Sequence, residues 1–218
     1  VLDGSGEQIG VVESIVGIRD MPITFGGQQN HAGTTPMHLR KDALSAAALL
    51  LTRVPGLPAK INGADAVITC GRVEVGPGAD NIVPARVDLH FDLRDGDAEI
   101  VMALEAALEA EATSVGAERQ IGTSYNRTDW TPPTPLDDRI RGLVSRSAQA
   151  LGISHREMPS GAGHDSQVLA PTVPTGMVFV PSIDGRSHSP LEATAPEDIV
   201  RGVRVLHATV RALAIGED

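Results

Sequence analysis

Three short polar stretches hold the side chains best suited to chemistry. The first, Gly27-Gln28-Gln29-Asn30-His31-Ala32-Gly33-Thr34-Thr35-Pro36-Met37, ends a strand-like run and presents one imidazole just ahead of a helix. An imidazole can donate, accept or transfer a proton near neutral pH, or ligate a metal. The second, Ser160-Gly161-Ala162-Gly163-His164-Asp165-Ser166, uses small residues that let a ligand approach the backbone, with a His-Asp pair following at once. In the third, Ser182 to Pro190, His188 lies on the loop that leaves the carboxyl end of an apolar strand, where ligands gather in α/β sheets. There is no His-Glu-x-x-His pair, no Cys-x-x-Cys and no Gly-x-Ser-x-Gly elbow, so any site must be assembled from distant loops.

The elements that must position these loops read as follows. Strands are expected at 11–18 and 21–25, then a helix carrying Leu39, Ala43, Ala46, Ala47, Leu50 and Val54, stopped by Pro55-Gly56. A strand at 66–75 precedes a strict alternation over 86–94, in which Val87, Leu89, Phe91 and Leu93 oppose Arg86, Asp88, His90, Asp92 and Arg94. Asp97 caps a helix with Ile100, Leu104, Leu108 and Val115 on one stripe, and a weaker strand, Arg119 to Tyr125, follows. The order β-α-β-β-α-β is that of a ferredoxin-like sandwich, with an edge strand free for pairing.

Thr131-Pro132-Pro133-Thr134-Pro135 reads as a linker. After it come a helix at 136–151 capped by Gly152, a strand near His155 to Met158, and the apolar run Gly176 to Val180, expected to be a parallel strand buried on both faces. Pro196 opens a last helix with Ile199, Val203, Leu206, Val210 and Leu213 as its core stripe. So few strands cannot complete a parallel sheet, which leads to the expectation that the rest of an α/β domain lies upstream of Val1.

Composition narrows the partners. The 218 residues include five aromatics and carry a formal charge of −10, with no Lys or Arg run, which argues against nucleic acid and anionic membrane surfaces. No apolar stretch spans a bilayer and no signal peptide opens the chain, so the cytoplasm is the expected compartment. The single cysteine, Cys70, excludes an internal disulfide and is expected to be a buried structural thiol.

Taken together, Asn30 to Met37 with Arg40-Lys41-Asp42-Ala43, Asn81-Ile82-Val83-Pro84 leading to Asp92-Leu93-Arg94, Ser160 to Asp165, and Ser187 to Pro190 resemble the hydantoinase/carbamoylase family of dinuclear-metal amidohydrolases. The resemblance covers nearly the whole chain. It implies a metallopeptidase-like α/β catalytic domain, matched here by 1–19 and 129–218, and a ferredoxin-like dimerisation or lid domain, matched by 20–128. It implies that His188 is a metal ligand, that two divalent ions (zinc, manganese, cobalt or nickel) serve the intact enzyme, and that only part of their site lies in this chain. It further implies that His31, Asn81 and Arg94 face the active site of the partner subunit of a homodimer. There His31 would stabilise the oxyanion while Arg94 and Asn81 clamp a small-molecule carboxylate substrate. Gly161, Ala162 and Gly163 would line the substrate channel, with His164 and Asp165 as supports. The implied reaction is hydrolysis of N-carbamoyl-L-amino acids to amino acid, ammonia and carbon dioxide, with allantoate as the alternative substrate. A reading of another class remains open, in which this chain by itself is a non-catalytic dimerising module.

Overall fold

A computed structural model describes residues 2–127 and 130–216. In chain order the elements are α1 Leu2–Ser5, β1 Ile9–Ile15, β2 Gly17–Gly26, β3 Asn30–His31, α2 Ala43–Arg53, α3 Leu57–Lys60, β4 Val67–Gly76, β5 Ile82–Val83 and β6 Arg86–Asp95. They continue with α4 Ala98–Arg119, β7 Gly122–Tyr125, β8 Trp130–Thr131, β9 Thr134–Pro135, α5 Asp138–Ala150, β10 His155–Ser160, α6 Ser166–Leu169, β11 Val178–Phe179 and α7 Pro196–Ile215. The chain forms two compact units, Val1–Val16 with Thr134–Asp218, and Gly17–Pro133. The domain boundary expected at 128/129 falls on residues outside those described.

The inner unit is an antiparallel sheet in the order β4-β6-β2-β7, with α2 and α4 packed on one face. Alternation decides which face is dry. Met21, Ile23 and Phe25 of β2 and Val87, Leu89, Phe91 and Leu93 of β6 point to the helices and are buried with Leu50, Leu104 and Leu108. The other face of β6 carries the charged residues of the alternating run. Asp42 starts α2 by accepting the backbone N–H groups of Leu44 and Ser45, and Asp97 starts α4 by accepting that of Glu99. Because Asp42 sets that start, Leu39 belongs to a separate 3₁₀ turn, Met37–Leu39, and stays exposed rather than joining the helix core.

The outer unit is a small mixed sheet. Central β1, with Ile9, Val11, Val12 and Ile15 fully buried, pairs parallel with β10 and antiparallel with β11 and β9. α5 and α7 pack against each other, and buried Val205, Thr209 and Ala212 of α7 face this layer.

Several expectations change here. The run Gly176 to Val180 is not a doubly covered parallel strand: β11 is two half-buried residues paired antiparallel to β1, because β1 takes the central, covered position. The stripe Ile199, Val203, Leu206, Val210 on α7 is exposed, and Leu213 is half-buried, since Val205, Thr209 and Ala212 supply the packed face. The Pro-rich stretch is no free linker, as β8 pairs with β2 and β9 with β1. Cys70 is half-buried beside a bulge in edge strand β4, where partial burial pushes its thiol pKa up. Among the described residues no helix is long and apolar enough to cross a membrane.

Candidate functional site

His31 and Asn81 are fifty residues apart in sequence and are brought together by two very short strands. β3 pairs antiparallel with β5, setting Asn30 opposite Val83 and His31 opposite Ile82, and the Ala32 N–H donates to the Asn81 carbonyl at 2.9 Å. The His31 loop folds back on itself. The His31 carbonyl accepts both the N–H and the hydroxyl of Thr35, at 3.2 and 2.7 Å, and the His31 N–H donates to Asn30 Oδ1 at 3.0 Å. Gly33 N–H donates to His31 Nδ1 at 3.0 Å. A backbone N–H can only donate, so Nδ1 presents its lone pair there and the neutral ring carries its proton on Nε2. The ring is exposed, and an open cavity of about 380 Å³ lies beside the cluster, lined by Ala32, Arg40, Leu44, Asp80 and Ile82 among others.

Arg94 lies elsewhere. On β6 it pairs across to Ile18 of β2, whereas the end of β2 that leads to His31 pairs with Arg86. Eight residues separate Arg86 from Arg94, ~27 Å at the rise of an extended strand. Register thus sets Arg94 at the far end of β6 from the strand end that leads to His31. The Arg94 guanidinium also has an occupant, forking onto Asp92 with Nε–Oδ1 at 2.6 Å and Nη2–Oδ2 at 2.8 Å, which holds its pKa above the ordinary arginine value.

In the outer unit, Gly161, Ala162 and Gly163 are exposed on the loop after β10. Buried Ser160 shapes that loop through its hydroxyl, which donates to the Ala162 carbonyl at 2.7 Å and accepts the Ala162 N–H at 3.3 Å. His164 supports it locally, its Nδ1 accepting the Ser166 N–H at 3.0 Å. His188 sits exposed at φ +53°, a left-handed backbone uncommon outside glycine, with its N–H donating to Glu192 Oε2 at 2.9 Å. The neighbouring turn is pinned by Ser182, whose hydroxyl donates to the Arg186 carbonyl at 2.6 Å.

A metal pair does not fit the donors present. Among the described residues no three His, Cys, Asp or Glu side chains are grouped as a metal site, and a catalytic zinc ion takes about three protein ligands. His188 alone cannot supply them.

Two contributors escaped the sequence reading. Thr35 and Arg40 hold the His31 loop through bonds to backbone carbonyls, and side chains that act on backbone leave no periodic signal. Both lie within the stretch that carries the resemblance, which gave them no role of their own.

A family model described as peptidase family M20/M25/M40 matches residues 6–212. The chain is 36% identical over 214 residues to an allantoate amidohydrolase of Escherichia coli (strain K12), covering 98% of this chain and 52% of that protein. It is 38% identical over 214 residues to an N-carbamoyl-L-amino-acid amidohydrolase of Paenarthrobacter aurescens, with the same coverages of 98% and 52%. A crystal structure of a hydantoinase/carbamoylase family amidase from Burkholderia vietnamiensis superposes with a TM-score of 0.91 at 36% identity, over 97% of this chain and 51% of that one. The chain thus spans about half the length of the relatives it matches.

Proposed function

Since the chain belongs to the peptidase family M20/M25/M40, we propose that it works as part of a metal-dependent hydrolase of linear amide and ureido C–N bonds, with N-carbamoyl-L-amino acids as substrate class. The observation that carries the reading is the His31–Asn81 cluster, in which a fixed loop offers an exposed imidazole with its proton on Nε2. A donor so placed stabilises the oxygen that becomes anionic when a ureido carbonyl is attacked, and it does so without rearranging during the reaction. Asn81, whose backbone carbonyl accepts the Ala32 N–H, brings a second polar residue to the same loop. On its Nε and Nη2 edge Arg94 meets a carboxylate in competition with Asp92, and it does so from the end of β6 remote from His31. The loop Gly161 to Gly163 offers exposed backbone with little side-chain bulk, which suits it to lining a substrate channel.

Two divalent ions, which would polarise the carbonyl and activate water, need donors beyond His188 and the other described residues. For the chain by itself we therefore expect neither a stoichiometric metal pair nor turnover. Metal analysis combined with a carbamoyl-amino-acid assay tests that part, and two bound ions with turnover would refute it.

Pairing of two copies through the inner unit would let His31 and Asn81 of one subunit serve the other's site. The experiment is subunit complementation in the full reading frame encoding this chain, loaded with zinc or manganese. His31→Asn lowers kcat by about 10²–10³-fold, the usual loss of one oxyanion donor, and His188→Ala abolishes activity. Co-expressed, the two inactive variants regain roughly a quarter of wild-type activity, because half the dimers are mixed and each restores one of two sites. No recovery would place His31 and His188 in the same subunit's site, and no ammonia release from N-carbamoyl-L-amino acids by wild type would overturn the substrate reading. Allantoate, which shares the ureido group, is the second reading, supported by the E. coli relative. A higher kcat/KM for allantoate would select it.

A further inference from the structure

We propose that Gly33 and Arg40 are positioning residues for His31, the Gly33 amide fixing the ring proton on Nε2 and the Arg40 guanidinium holding the loop that carries both groups. The inference rests on the reading of His31 as a hydrogen-bond donor to substrate and adds what makes it one.

The loop from Asn30 to Arg40 is mostly exposed, with only Thr35 buried and Ala32 and Arg40 half-buried, so packing alone cannot hold the imidazole in one orientation. Polar bonds hold it instead, and two of them come from the side chain of Arg40. Its Nε donates to the Thr35 carbonyl at 3.0 Å and its Nη2 donates to the Ala32 carbonyl. These two carbonyls lie on either side of Gly33, so the fork spans the turn that presents the Gly33 amide to His31 Nδ1. Two divergent donors on one rigid plane suit this task, and a lysine ammonium on its flexible stem does not reproduce the spacing. Arg40 is itself placed by the chain: its N–H donates to the Met37 carbonyl at 3.3 Å, and two residues later Asp42 caps α2. The line of support therefore runs from the α2 cap through Arg40 to the loop and on to the ring.

Gly33 is constrained sterically as well. A Cβ there would lie 3.3 Å from His31 Cε1 and 3.5 Å from Nδ1, tight against the ring edge it must orient. Its amide, and no side chain, is the working part. With Nδ1 engaged as an acceptor, the exposed Nε2 carries a proton, so His31 meets a substrate oxygen as a donor and does not serve as a general base through that nitrogen.

Long-range ¹H–¹⁵N NMR of the ring nitrogens of His31 in the full chain tests this without any activity. The expected pattern is a protonated Nε2 and a bare Nδ1, and a protonated Nδ1 in wild type overturns the proposal. Arg40→Met keeps the stem and removes the fork. It is expected to give a mixture of tautomers and to speed Gly33 amide hydrogen exchange about tenfold, the equivalent of roughly one hydrogen bond, with far-UV circular dichroism unchanged. Arg40→Lys should recover only part of the protection. An Arg40→Met protein with the wild-type ring pattern and exchange rate removes Arg40 from the assignment, and should that variant not fold, the wild-type spectrum still decides the tautomer. If the tautomer is as expected but His31→Asn leaves turnover in the full reading frame intact, the positioning stands and the donor role of His31 falls.

Discussion

The guanidinium of Arg94 lies in the plane of a two-pronged bond to the carboxylate of Asp92, with contacts of 2.6 and 2.8 Å on neighbouring outward positions of β6. Both side chains are about one-third exposed, so water already weakens the attraction between them. A substrate carboxylate that takes the Nε and Nη2 edge of Arg94 meets Asp92 as a competitor built into the strand.

Replacing Asp92 by Asn should relieve that competition at little structural cost. Acetate or N-carbamoylglycine, titrated against the Arg94 Nε–H resonance by NMR, is expected to bind more tightly by no more than about fivefold, with stability lowered by less than about 1 kcal/mol, the range of a half-exposed ion pair. Unchanged affinity in Asp92→Asn would show that Arg94 takes no carboxylate.

Burial separates two kinds of apolar helix position. Leu104 on α4 is fully buried in the inner unit, and Leu104→Ala should cost about 2–5 kcal/mol by urea unfolding. Val203 on α7 is 61% exposed, and Val203→Ala should stay within about 0.5 kcal/mol. Comparable losses at the two positions would mean that the face of α7 assigned to solvent is packed.

Acid should destabilise the inner unit before base does. Arg86 and the Thr24 hydroxyl hold Asp88 below its ordinary value of 3.8, the Tyr125 hydroxyl with Arg127 holds Glu109 below 4.5, and Lys60 with Arg53 holds Glu111 below 4.5. A carboxylate with a lowered folded pKa adds stability that is complete above its unfolded value and drains away as pH falls through the folded one. Denaturant midpoints followed from pH 7 to 3 should be level down to about pH 5 and fall below it, less steeply in high salt because these groups are largely solvated. A midpoint that rises on acidification would contradict the sign.

The β6 alternation and the α4 stripe were legible because each carries a single apolar face, so periodicity and burial coincide. α7 misled because apolar residues lie on two of its faces. Hydrophobicity marks Ile199, Val203, Leu206 and Val210 as able to be buried, while the small set Val205, Thr209 and Ala212 is what α5 and β1 leave room for. The two-residue strands that join His31 to Asn81 are too short to show a period, so only the resemblance linked those residues. The fork of Arg40 onto two carbonyls depends on loop geometry that residue types do not encode. The separation of Arg94 from His31 follows from register, which pairs Ile18 with Arg94 and Gly26 with Arg86, and register is a property of the folded sheet.

At each passage of the chain between units the incoming and outgoing strands are neighbours: Ile15 pairs with Thr134 on one side, and Ile18 with Thr131 on the other. The inner sandwich is thus a cassette whose two ends meet side by side. Removing the segment as one continuous stretch would leave its flanks on neighbouring strands of the outer unit, a gap that a few residues could close.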